Sequence, residues 1–113
     1  MKHVTYSEKS LLMGDEAADV LMEYSALLGQ YGTADTVTLR CFGADADEVD
    51  ATFVLNQGSA LMAETTHTSM AEPDNTEAVR VMRAKMKRLG TPSLVSPSDQ
   101  TAPSYYDDFD LEA

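Results

Sequence analysis

The sequence predicts an α+β domain in which a small antiparallel sheet carries two helices packed on one face. Three observations predict it. Two stretches repeat their apolar residues at helical spacing, two others alternate apolar with polar residues as strands do, and Gly- or Asn-containing turn signals separate them. The expected element order is an N-terminal β-hairpin, then helix, strand, strand, strand, helix.

Val4 to Tyr6 and Leu11 to Met13 are short extended pieces on either side of the polar Ser7-Glu8-Lys9-Ser10, which suits a turn. From Gly14-Asp15 onward, Ala17, Val20, Leu21, Tyr24, Leu27 and Leu28 recur at helical spacing, with Asp15, Glu16, Asp19 and Glu23 elsewhere on the surface. Asp15 is placed to cap this helix, and Gly29 to end it in a left-handed conformation. After Gln30-Tyr31-Gly32, the segment Thr36 to Phe42 alternates, with Val37, Leu39 and Cys41 on one side and Thr36, Thr38 and Arg40 on the other. Gly43 to Glu48 is a polar turn. Val49, Ala51, Phe53 and Leu55 then alternate against Asp50, Thr52 and Asn56, so these two strands form a hairpin. Ala60 to Thr66 reads as a third strand, although Leu61, Met62, Ala63 and Glu64 also suit a helix.

Asp74 and Glu77 have capping-box spacing and open a second helix, whose apolar seam is Val79, Met82, Met86 and Leu89. Gly90 and Pro92 end it. Residues 1–90 are therefore expected to be the folded domain. Residues 91–113 read as a flexible acidic and aromatic C-terminal tail, because Pro92, Pro97 and Pro103 lie among serines and threonine that cannot build a core. The helix, three-strand, helix portion resembles the double-stranded-RNA-binding domain in element order alone. None of that family's basic or loop motifs is present, so the resemblance implies nothing about function.

Composition bounds what the chain can do. A chain of 113 residues with 43% hydrophobic and 24% charged residues supports one modest core. Its net charge of −11 repels polyphosphate and anionic lipid, which disfavours nucleic acid and membrane surfaces as partners and favours a protein with a basic surface. The acidity could equally belong to a salty habitat. Cys41 is the only cysteine, the N-terminus shows no apolar signal-like run, and no stretch is long enough to cross a bilayer, which together point to a reducing, cytoplasmic setting.

Candidate chemistry is sparse. Asp45, Asp47, Glu48 and Asp50 invite a calcium reading, but counting from Asp45 puts Asp50 at the glycine position of an EF-hand loop and Asn56 at the closing glutamate, so no metal is expected. A small enzyme would have to be built around Cys41, His67 and Glu64. Yet Glu64 and His67 point to opposite faces of a strand, and the placement of Cys41 beside Val37 and Leu39 suits a buried thiol. Without a phosphate loop, paired CxxC, HExxH or serine elbow, catalysis is disfavoured and no cofactor is expected. Arg80, Arg83 and Lys87 share a helical face that could contact phosphate or an acidic protein, the acidic protein being the easier partner for so acidic a chain. The seam beside them would permit a homodimer, although covering the protein's own sheet is the simpler use.

The leading partner-binding segment is in the tail, where Tyr105, Tyr106, Phe109 and Leu111 stand among Asp107, Asp108, Asp110 and Glu112. Such a segment stays soluble until it docks in a basic-rimmed groove. The expected function is a protein-interaction or regulatory module. The alternative is a nucleic-acid mimic whose carboxylates occupy a basic site.

Overall fold

The computed structural model describes residues 1–90. Within them, strands β1 (Lys2–Tyr6) and β2 (Lys9–Met13) are followed by helix α1 (Asp15–Gln30). Strands β3 (Asp35–Phe42), β4 (Glu48–Leu55) and β5 (Leu61–Thr65) come next, then helix α2 (Thr76–Gly90). All strand pairings are antiparallel, in the order β4-β3-β2-β1-β5. The α+β class and the sequence of elements are as the periodicities predict.

Two terminal signals fall differently from expectation. Gly14, not Asp15, is the N-cap of α1, and Asp15 is the first helical residue, where its charge complements the helix dipole. At the other end Gly29 stays inside the helix, Tyr31 is the C-cap, and Gly32 takes the left-handed conformation at φ 64°. Tyr31 N–H still bonds the Leu27 carbonyl at 3.1 Å, and the helix then closes around Gly32, with Thr33 N–H donating to the Leu28 carbonyl at 3.0 Å and Gly32 N–H to the Gly29 carbonyl at 3.2 Å, so the left-handed position falls three residues later than expected.

The third strand of the second group pairs away from the hairpin that precedes it. β5 does not extend the β3–β4 hairpin but crosses to β1, with Lys2 opposite Thr65 and Tyr6 opposite Leu61. The connection from β4 to β5 therefore joins the two outermost strands of the sheet. Five strands laid flat would be about 19 Å across. The connector cannot stretch that far, because it folds on itself: the Asn56 side chain accepts a bond from Gly58 N–H at 2.7 Å, and the Ser59 N–H donates to the Asn56 carbonyl at 3.1 Å. The sheet coils instead, bringing its edges together. The Tyr6 hydroxyl donates to the Val54 carbonyl at 2.8 Å, and its ring meets Phe53 edge-on at 5.9 Å between centroids.

The concave face holds the core. Val4, Leu11, Met13, Val37, Leu39, Cys41, Phe53 and Leu55 point inward and meet Ala17, Ala18, Val20, Leu21, Tyr24 and Leu28 of α1. From α2, Val79 and Met82 are buried in the same core, while Met86 and Leu89 are partly buried against it. The apolar seam of α2 thus covers the protein's own interior. No helix among the described residues is long and apolar enough to cross a membrane.

Candidate functional site: a covered strand edge

β2 ends at Met13 because Gly14 turns the chain into α1, whereas β3 is eight residues long. The two strands meet through one paired position, Leu12 with Phe42. Most of β3, from Asp35 to Arg40, therefore has a strand partner on its β4 side and, among the described residues, none on the other. An edge of this kind presents unpaired N–H and C=O groups, and covering it with a helix is one way to blunt it.

Helix α2 takes that position and is clasped at both ends. Near its start, the Asn75 side chain accepts the Arg40 N–H at 2.7 Å and donates to the Arg40 carbonyl at 2.9 Å, imitating the two bonds of a neighbouring strand. Near its end, Lys85 Nζ donates to Asp35 Oδ2 at 2.8 Å. The helix consequently runs antiparallel to β3. Tyr24 of α1 also donates its hydroxyl to Asp35 Oδ2, and the Thr36 N–H donates to Oδ1 at 2.8 Å. Burial acts to raise the Asp35 pKa, but the bonds from Lys85, Tyr24 and Thr36 outweigh it and hold the carboxyl below its ordinary range. The Tyr24 phenol shifts strongly upward, first through burial and then through its bond to the Asp35 carboxylate.

Between the clasps lies a cavity of about 500 Å³, within the range of small-ligand sites. Val37, Leu39, Val81 and Met82 form its apolar wall. Residues two apart on a strand direct their backbone groups to the same side, so Thr38, like Arg40, turns its N–H and C=O away from β4 and toward this cavity. The Thr38 hydroxyl is engaged elsewhere, 2.9 Å from that of Thr52 across the hairpin. The outer edge of β4 is defended differently. The Val54 carbonyl accepts both the Tyr6 and Ser59 hydroxyls, and exposed carboxylates of Glu48 and Asp50 flank the strand.

The expected capping box at the start of α2 is divided among other partners. The Asp74 carboxylate accepts the Thr76 N–H at 3.0 Å, which lowers its pKa. Glu77 pairs with Arg80 instead of reaching back to Asp74, and that pairing lowers the pKa of Glu77. Asn75, whose carbonyl accepts the first helical bond from Val79 at 2.9 Å, spends its side chain on β3. In the sequence Asn75 is simply the residue after Asp74 in the helix-start signal. Its bond to a strand 35 positions earlier leaves no local signature.

The other singled-out residues are spread over the molecule. Cys41 is fully buried on the concave face of β3, and burial pushes its thiol up to about 11 with Asp50 adding to the effect. Glu64 lies on the opposite face of β5, across from His3 rather than His67, and His67 is exposed beyond that strand. The structure does not bring Cys41, Glu64 and His67 together. Among the described residues, no three acids, histidines or cysteines are grouped so as to hold a metal ion. Arg80 is paired with Glu77 and Arg83 with Glu16 of α1 at 3.0 Å, while Lys87 is exposed. Tyr105, Tyr106, Asp107, Asp108, Phe109, Asp110 and Leu111 lie outside the described residues.

Neither protein-family models, nor curated proteins, nor solved structures give a match to this chain.

Proposed function

We propose that this chain is a protein-interaction module that captures an extended peptide segment of its partner along the part of the β3 edge, between Asp35 and Arg40, that no strand among the described residues pairs, beneath α2. The observation that supports this reading is the orientation of Thr38, whose backbone donor and acceptor face a partly apolar cavity of about 500 Å³. Main-chain pairing with such an edge supplies affinity, and the adjoining apolar wall supplies selectivity. The net charge of −11 favours a partner with a basic surface, which the acidic and aromatic residues 105–111 would contact.

The test is selection of short random peptides on the full chain, followed by affinity measurement on variants. Thr38→Pro removes the donor at a position whose N–H is not used by the β3–β4 ladder. Thr38→Val removes only the hydroxyl. The expected result is a loss of about tenfold or more for Thr38→Pro, or about 1.4 kcal/mol, and less than about twofold for Thr38→Val. Unchanged affinity in a Thr38→Pro protein that keeps its native circular dichroism would refute strand addition at this edge.

A further inference from the structure

The coiled sheet does not close along its whole length. The Tyr6 hydroxyl holds the β4 edge to β1 through the Val54 carbonyl, but beyond that bond, toward Asp50 and the turn at 43–47, a cavity of about 740 Å³ opens. Among the described residues neither helix contributes to its wall. Leu11, Val49, Ala51 and Phe53 form its apolar side. Val49 shares the alternation of Phe53 and Leu55, which are buried, yet it is itself exposed, because no described residue covers this end of the concave face.

Two kinds of donor meet this apolar wall. Arg40 spends its N–H and carbonyl on Asn75, so the Arg40–Asp50 pair exchanges no bonds across the hairpin, and Asp50 and Thr52 direct their N–H groups to the outer edge of β4, beside the cavity. The Val54 carbonyl, two residues on, obeys the same rule, since it accepts the Tyr6 and Ser59 hydroxyls. Lys9 is the charged donor. It shares the concave face with Leu11 and Met13 and lies opposite Tyr6. Among the described residues Lys9 has no ion-pair or hydrogen-bond partner, whereas Lys2, Arg40, Arg80, Arg83 and Lys85 each hold a carboxylate. We infer that this gap is a binding site for a small aliphatic monocarboxylate, its head on Lys9 and its chain against Leu11, Val49, Ala51 and Phe53. The volume lies within the range of small-ligand sites, and barrel mouths are a common place for them. A single charge is specified, because Asp45 lines the same cavity and repels a dianion such as phosphate, while Asp50 is already tied to Arg40 at 3.5 Å. The β3–β4 hairpin separates this gap from the groove beneath α2, so the site stands whether or not that groove captures a peptide.

Titration of the full chain with decanoate, kept below its micelle-forming concentration and followed by the methyl signals of Leu11, Val49 and Ala51, is the direct test. The expected result is saturable shifts of these methyls while those of Val81, in the β3 groove, stay in place. Lys9→Glu should weaken decanoate by about fivefold or more and the uncharged decanol by less than about twofold. Ala51→Leu, which fills the cavity, should weaken both ligands in a protein that keeps its native circular dichroism. Equal decanoate affinity in the parent and in Lys9→Glu would overturn the carboxylate site, as would shifts that never saturate and spread over Val81 as well. The same methyl shifts produced by raising the protein concentration without ligand would assign the gap to a second copy, and the inference would fail.

Discussion

The two helices are attached to the same sheet by different physics. α1 buries Ala17, Ala18, Val20, Leu21, Tyr24 and Leu28, and the coiled sheet wraps around it. α2 buries only Val79 and Met82, and it meets β3 chiefly through polar contacts at its two ends, Asn75 with Arg40 and Lys85 with Asp35. Apolar burial is non-directional and scales with area, whereas a few hydrogen bonds each contribute about 1 kcal/mol and depend on protonation and geometry. The first helix should therefore behave as part of the scaffold, and the second as a cover that can respond to pH, salt or a ligand.

The sharpest challenge to this contrast is Leu21→Ala. Leu21 is fully buried at the centre of α1, so truncation leaves a cavity and should cost about 2–5 kcal/mol in urea unfolding. A loss below 1 kcal/mol would mean that α1 is no better anchored than α2. The contrast also shows how much the sequence can convey. The buried stripe of α1, and the alternation of Val37, Leu39 and Cys41, are short-range patterns that burial alone imposes, and they were legible. The pairing of β5 with β1, and the clasp from Asn75 to Arg40, were not legible, since each is set by where the coiled sheet brings distant residues and leaves no periodicity behind. The unpaired part of β3 was hidden for the same reason. It depends on β2 stopping where Gly14 starts a helix while β3 runs on.

Removing the strand-like clasp should have the next largest effect. Asn75→Ala leaves the Arg40 N–H and carbonyl without their side-chain partner, and because both bonds are exposed about 0.5–1.5 kcal/mol of stability should be lost. The Arg40 amide should exchange faster, while amides in the middle of α1 slow or speed only with global stability. Equal acceleration throughout α1 would show that α2 is not a separable cover.

The opposite clasp is pH-sensitive. Because the folded Asp35 pKa lies below its unfolded value of about 3.8, its contribution is fully present above the ordinary carboxylate range and is lost as pH falls through the depressed value. Acidification below about pH 4 should loosen the end of α2 in the parent, and this part of the acid sensitivity should disappear in Asp35→Asn. A profile unchanged by the substitution would place the acid sensitivity elsewhere. Arg83→Ala should matter least. Its pairing with Glu16 ties α2 to α1, but both side chains are more than half exposed, at 53% and 67%, so less than about 1 kcal/mol is expected, and less still in high salt.

The position of β1 has a bearing on how the molecule is made. Its first neighbour is immediate, since a two-residue turn returns the chain for Lys2 to pair with Met13. Its second neighbour arrives only after α1 and the β3–β4 hairpin, when Lys2 meets Thr65. Hairpins close in microseconds, whereas closing a loop of that length carries a larger entropy cost before any contact offsets it. Until β5 emerges and docks, the nascent domain carries β1 as an open edge, so the interval between synthesis of residue 13 and residue 65 is when this protein is most exposed to pairing with the wrong chain.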